Sequence, residues 1–100
     1  MEKGYVSELM KFYVRESAPN QRVDYDGELL QLDCYWFEKA EGDKKGLEFI
    51  VPIEHPEYKE QTEKKLQSLE PGDVIVARFE SMNQKGTVWI CNKIDKIKQN

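Results

Sequence analysis

A small, mainly β protein, with five strands closing into a barrel and one α-helix between the third and fourth, is the architecture this sequence predicts. Three observations predict it. The apolar run Val74-Ile75-Val76-Ala77 ending at Phe79, the polar break Asn83-Gln84-Lys85-Gly86 and the run Thr87-Val88-Trp89-Ile90-Cys91 read as a hairpin. Residues 28–37 carry an unbroken apolar row at every second position, Leu30, Leu32, Cys34 and Trp36. A single stripe at helical spacing, Tyr58, Thr62, Leu66 and Leu69, lies between Pro56 and Pro71-Gly72. With 100 residues the chain suffices for one core, so a single domain over 1–100 is expected.

In chain order, residues 5–16 satisfy two periods. Val6, Leu9, Met10, Tyr13 and Val14 recur as on a helix, whereas Met10, Phe12 and Val14 alternate as on a strand. The β-prone Phe-Tyr-Val triplet selects the strand. Ser17-Ala18-Pro19-Asn20 reads as a loop, and Asp26-Gly27 as the turn before strand two. In strand two the even row is assigned to the core and the odd row, Leu29, Gln31, Asp33, Tyr35 and Phe37, to the outer face. The charged stretch 38–46 is a turn. Strand three follows with Leu47, Phe49, Val51 and Ile53 inward and Glu48 and Ile50 outward, and Pro52 marks a strand end or edge. The helix is expected over 56–69, with Pro56 at its first position and Glu60 paired with Lys64. Strand four turns Ile75, Ala77 and Phe79 to one face. Strand five turns Trp89 and Cys91 inward, bulges near Asn92, and resumes with Ile94 and Ile97.

Composition narrows the function. The formal charge of −4 argues against tight, indiscriminate binding to phosphate backbones, because that affinity comes from Lys and Arg releasing counterions. The deficit sits in the first half, where 11 acids face 7 bases; from Ser81 onward Lys85, Lys93, Lys96 and Lys98 face Asp95 alone. No apolar run approaches the roughly 20 residues of a spanning helix, and the opening Met-Glu-Lys-Gly-Tyr lacks the apolar centre of a secretion signal, so a cytoplasmic location is expected.

No residue group announces a reaction. Cys34 and Cys91 are expected to be reduced and buried. His55 is the only histidine, which speaks against a metal site; as an acid-base group it would have Glu54 and Glu57 to tune it, but a loop histidine before a proline is more simply an exposed one. Asp24 and Asp26 are a weak signal for Mg²⁺. There is no Gly-x-Ser-x-Gly turn and no Gly-rich phosphate cradle. A protein that is not an enzyme and holds neither metal nor cofactor is expected.

Three strands in a meander, a helix, then a closing hairpin resembles the OB-fold, the five-stranded Greek-key barrel. Leu66, Leu69 and Pro71-Gly72-Asp73 leading into Val74-Ile75-Val76, and Trp89-Ile90-Cys91 passing into Ile94 and Ile97, look like the closing half of the barrels in replication protein A and related single-strand DNA-binding proteins. That resemblance implies a binding surface on the outer face of strands two and three with the loops 17–27 and 82–86. Its nucleic-acid-binding residues would be Tyr35, Phe37, Gln31 and Ile50, the aromatics stacking on bases, with Arg22, Arg78 and Lys85 neutralising phosphate. Asp24, Asp26 and Asp33 would oppose them. The function implied is a small accessory protein binding single-stranded DNA or RNA within a DNA replication, repair or mobile-element machine. The alternative is a protein-protein interaction module whose aromatic face docks on a larger replication or processing subunit, an exposed aromatic cluster being equally suited to that role.

Overall fold

The computed structural model describes residues 8–81 and 89–97. Five strands and one helix follow in the order β1 (Met10–Tyr25), β2 (Glu28–Lys39), β3 (Glu48–Pro52), α1 (Glu60–Gln67), β4 (Val74–Ser81) and β5 (Trp89–Ile97). All pairings are antiparallel, in one sheet of order β3-β2-β1-β4-β5. The chain is thus mainly β with one helix between the third and fourth strands. No helix among the described residues is long and apolar enough to cross a membrane.

The first strand settles the ambiguity of its sequence in favour of β. Phe12 and Val14 are fully buried and Met10 packs beside them, while Lys11 and Arg15 are exposed. The strand then continues through the expected loop at 17–20. It does so by two register shifts against β2, between Val14 and Ser17 and between Ala18 and Gln21. Pro19 falls inside the second shift, where its missing N–H removes no ladder bond, and Asn20 takes a positive φ of 55°. The hairpin closes at Asp26-Gly27, with φ of 53° and 83°; two left-handed residues match the twist of the flanking strands, and glycine accepts that conformation without strain.

The main core gathers all four phenylalanines of the chain. Phe79 on β4 lies 4.8 Å from Phe12, 5.1 Å from Phe49 and 5.3 Å from Phe37, measured between ring centroids. Edge-to-face and tilted packing of this kind suits the quadrupoles of the rings. Val14, Val51, Leu66, Leu69, Ile75, Ala77, Cys91 and Ile94 complete the cluster. Strand four presents the row its alternation predicts, and strand three does so for Phe49, Val51 and Ile53; Leu47, expected inward, precedes β3 and is exposed, because the chain there is still leaving the charged turn. The Asn92 bulge is also present, since Arg78 pairs with Lys93 and Phe79 with Cys91. Ile97, however, pairs with Val74 on the face away from Ile75 and Ala77, not with the inward row.

The second strand reverses its expected facing. Phe37 has no exposed surface and Tyr35 is half-buried, donating its hydroxyl to the Leu69 carbonyl at 3.0 Å; their partners across the ladder are Phe49 and Val51 of the main core. The even row lies on the other side. There Cys34 joins Ala18 and Val23 in a second, smaller cluster, with Leu32, Trp36 and Ile50 packed against it.

The helix is shorter than its stripe suggests. Residues 55–58 form a tight turn in which Glu57 N–H donates to His55 Nδ1 and Tyr58 N–H to the His55 carbonyl, both at 3.0 Å, and α1 begins only after Lys59. Leu66 and Leu69 are the side chains that reach the core. The Glu60–Lys64 pair forms at 3.2 Å between two exposed side chains, worth about 0.3–0.5 kcal/mol.

The two edges of the sheet, β3 and β5, face each other without a ladder between them among the described residues, so the sheet is not closed by strand pairing. A side chain spans the gap instead. Tyr58 donates its hydroxyl to the Pro52 carbonyl of β3 at 2.7 Å and accepts the Cys91 N–H of β5 at 3.0 Å. Phe49 and Trp89 meet across the same seam at 6.0 Å, and Lys65 from α1 donates to the Ile94 carbonyl at 3.3 Å. Backbone groups that would otherwise invite another strand are thereby occupied.

Candidate functional site

Which side chains face outward follows from the register. With Phe12 and Val14 committed to the core, Tyr13 and Arg15 must project from the opposite face of β1. Tyr13 pairs with Glu38 of β2, which lies on the same face as Trp36, and Trp36 pairs with Ile50 of β3. Ile50, Trp36, Arg15 and Tyr13 therefore form a continuous strip across three strands. The Tyr13 end is tied together through Arg15. The Arg15 guanidinium sits 5.1 Å from the centre of the Tyr13 ring and pairs with the Glu38 carboxylate at 2.8 Å. Trp36, Ile50 and Tyr13 are each half-buried, presenting part of their apolar surface to solvent. Trp36 and Ile50 rest on the cluster around Cys34, which gives the strip a packed floor.

The residues expected from the sequence are distributed differently. Ile50 lies on the outer face, as anticipated. Tyr35 and Phe37 do not: Phe37 is sealed among the other phenylalanines and Tyr35 is held by Leu69, so the ring next to Ile50 is Trp36. This corrects the facing of β2, whose two rows are both apolar. Gln31 and Arg22 are brought together as cross-strand partners, both exposed, but on the face opposite to Trp36 and further along the hairpin. Arg78 is half-buried on β4, on the side away from Ala77 and Phe79, opposite Lys93. Lys85 and the loop 82–86 lie outside the described residues. Sequence reasoning missed Trp36, Tyr13 and Arg15. The alternation Phe12-Tyr13-Val14-Arg15 carried the signal for the last two, since assigning the first and third residues inward leaves the second and fourth outside.

The acids expected to oppose binding have other duties in part. Asp33 accepts the Asn20 N–H through Oδ1 at 3.1 Å, and its own N–H donates to Glu54 Oε2 at 2.9 Å, fastening the bulge of β1 to the end of β3. Asp24 and Asp26 are exposed.

No protein-family model matches the chain, and none of the curated proteins or solved structures matches it. Its chemistry must be read from its own side chains.

Two groups with reactive side chains are spent on structure. Cys34 and Cys91 are free, buried thiols, each pushed up to about 12 by burial, Cys34 further raised by Asp33 and Glu54. At neutral pH neither offers a thiolate. His55 is buried, not exposed as expected, between the rings of Tyr25 at 4.9 Å and Tyr58 at 5.6 Å. Its Nδ1 accepts a backbone N–H, which fixes the proton on Nε2, and Nε2 has no hydrogen-bond partner among the described residues. Burial lowers its pKa, against a smaller opposing pull from Glu57. Among the described residues no three His, Cys, Asp or Glu side chains are placed to share a metal ion.

Proposed function

We propose that this chain is a non-catalytic accessory module that binds single-stranded nucleic acid across the outer face of β1, β2 and β3, in the service of a larger replication, repair or mobile-element machine. The observation that carries the reading is the strip Ile50–Trp36–Arg15–Tyr13, two rings and a guanidinium on one face of the sheet. Every base has a π-face, so Trp36 and Tyr13 can stack on unpaired bases of any sequence, at about 1–3 kcal/mol per base. Further support comes from topology. The strand order β3-β2-β1-β4-β5 with a helix between β3 and β4 is compatible with the order expected of an OB barrel, and Tyr58 bridges the β3 and β5 edges that such a barrel would join.

One fact favours a second reading. The chain carries −4, and Arg15 is already paired with Glu38, which suits a protein partner docking on Trp36 and Ile50 better than a polyanion. Anisotropy of a labelled oligothymidylate separates the two. Nucleic-acid binding predicts affinity that falls steeply with salt and drops about tenfold in Trp36→Ala. Absence of binding at low salt removes the first reading and leaves the second, for which Trp36→Ala abolishes a nuclease-resistant association.

A further inference from the structure

On the reading that the outer face binds a single strand, we propose that the phosphate backbone crosses Lys11, Arg78 and Lys93, on the β1-β4-β5 half of the sheet beside the aromatic strip. The placement follows from register. Arg78 of β4 and Lys93 of β5 are direct cross-strand partners, and Lys11 of β1 pairs with Val76, two residues from Arg78 on the same face. Side chains so related lie about 5 Å apart when directly opposed and about 7–8 Å on the diagonal. Three cations thus converge on one surface.

Like charges directly opposite each other on a sheet repel, and Arg78 and Lys93 are so placed. No hydrogen bond or ion pair to a described residue engages the side chain of Lys11, Arg78 or Lys93. The neighbouring acids are occupied. Asp95 pairs with Lys65 at 3.2 Å, Glu41 accepts the Lys11 backbone N–H at 2.9 Å, and the buried Glu80 has an interaction of its own. Arg78, moreover, is half-buried beside Val76, where water screens its charge less than at a free surface. An anion arriving here gains three cations that have no side-chain partner among the described residues, and it relieves the repulsion between Arg78 and Lys93. Phosphodiesters of DNA and RNA share that chemistry. The rows of β1 place the ammonium of Lys11 and the ring of Tyr13 two residues apart on one face, so a strand whose bases stack on Tyr13 and Trp36 has a cationic donor within reach of its phosphates.

The test is a salt titration with labelled oligothymidylate and oligouridylate on the full chain. Each cation removed, in Lys11→Ala, Arg78→Ala and Lys93→Ala, should lower the slope of log K against log salt by about 0.7, and Arg78→Ala with Lys93→Ala by about 1.4. Lys93→Glu separates binding from folding. It places an acid opposite Arg78, so the melting temperature should hold or rise while affinity at low salt falls. Equal effects on both oligonucleotides fit a phosphate contact; an effect on oligouridylate alone assigns the contact to the 2′-hydroxyl and overturns the proposal. Slopes unchanged in all variants, with wild-type binding intact and still lost in Trp36→Ala, overturn this path while sparing the aromatic face. No wild-type binding to either strand overturns both.

Discussion

Tyr58 is the residue on which the seam between the two sheet edges depends. Its hydroxyl is both donor to Pro52 and acceptor from Cys91, so Tyr58→Phe leaves a carbonyl and an N–H without partners while keeping the ring. An unmade buried hydrogen bond costs more than a made one gains, and a loss of about 2 kcal/mol in urea unfolding is expected. Burial holds the phenol well above its ordinary pKa, so it remains a donor at any working pH. His55 beside it makes stability depend on pH. Its folded pKa lies below the ordinary 6.5, so the unfolded chain takes up the proton first. Its contribution is therefore complete above about 6.5 and declines as pH falls from there through the folded value. His55→Asn keeps an acceptor for the Glu57 N–H but cannot titrate; the melting temperature of wild type should fall faster than that of the variant between pH 7 and 5. For the thiols, native protein at pH 8 should resist iodoacetamide and unfolded protein should react at both cysteines, as mass spectrometry would record.

At the scale of elements, the β1–β2 hairpin rests on one turn and two bulges. Gly27 has φ of 83° and open space where a Cβ would lie, so Gly27→Ala costs conformation and nothing else, about 1 kcal/mol by denaturant midpoint. Strand four, and strand three from Phe49 onward, were legible because each has one apolar and one more polar row over most of its length; Leu47 was not, because its apolar side chain fits the alternation although it stands before the strand, in the open. The Asn92 bulge was legible from the polar interruption of an apolar alternation. Strand two was not, because Leu30, Leu32, Cys34 and Trp36 form as good an apolar row as Tyr35 and Phe37, and a period of two cannot say which row meets the larger core. The bulges of β1 decide it, by letting the even row build its own cluster with Ala18 and Val23. The expected loop at 17–20 failed for the same cause: its turn-forming residues serve a bulge inside a continuing strand. Phe37→Ala accordingly belongs to stability, with an expected cost of about 3–5 kcal/mol, rather than to binding.

For the whole molecule, the same exchange of faces moves the candidate surface without abolishing it. A site centred on Tyr35 and Phe37 would have used rings that hold the main core together; the strip through Trp36 and Tyr13 uses rings that the core leaves half free. The molecule also contains its own control. Trp89 packs at the seam against Phe49, in contact with the main core, while Trp36 lies on the outer face, and these are the two tryptophans of the chain. Their indole N–H groups give two separate signals in a nitrogen-15 correlation spectrum. Titrating the labelled protein with an oligothymidylate at low salt is the most direct measurement. The account predicts that the Trp36 indole signal moves progressively with added strand while that of Trp89 stays in place. A moving Trp89 with a fixed Trp36, or two fixed signals at saturating strand, would contradict it.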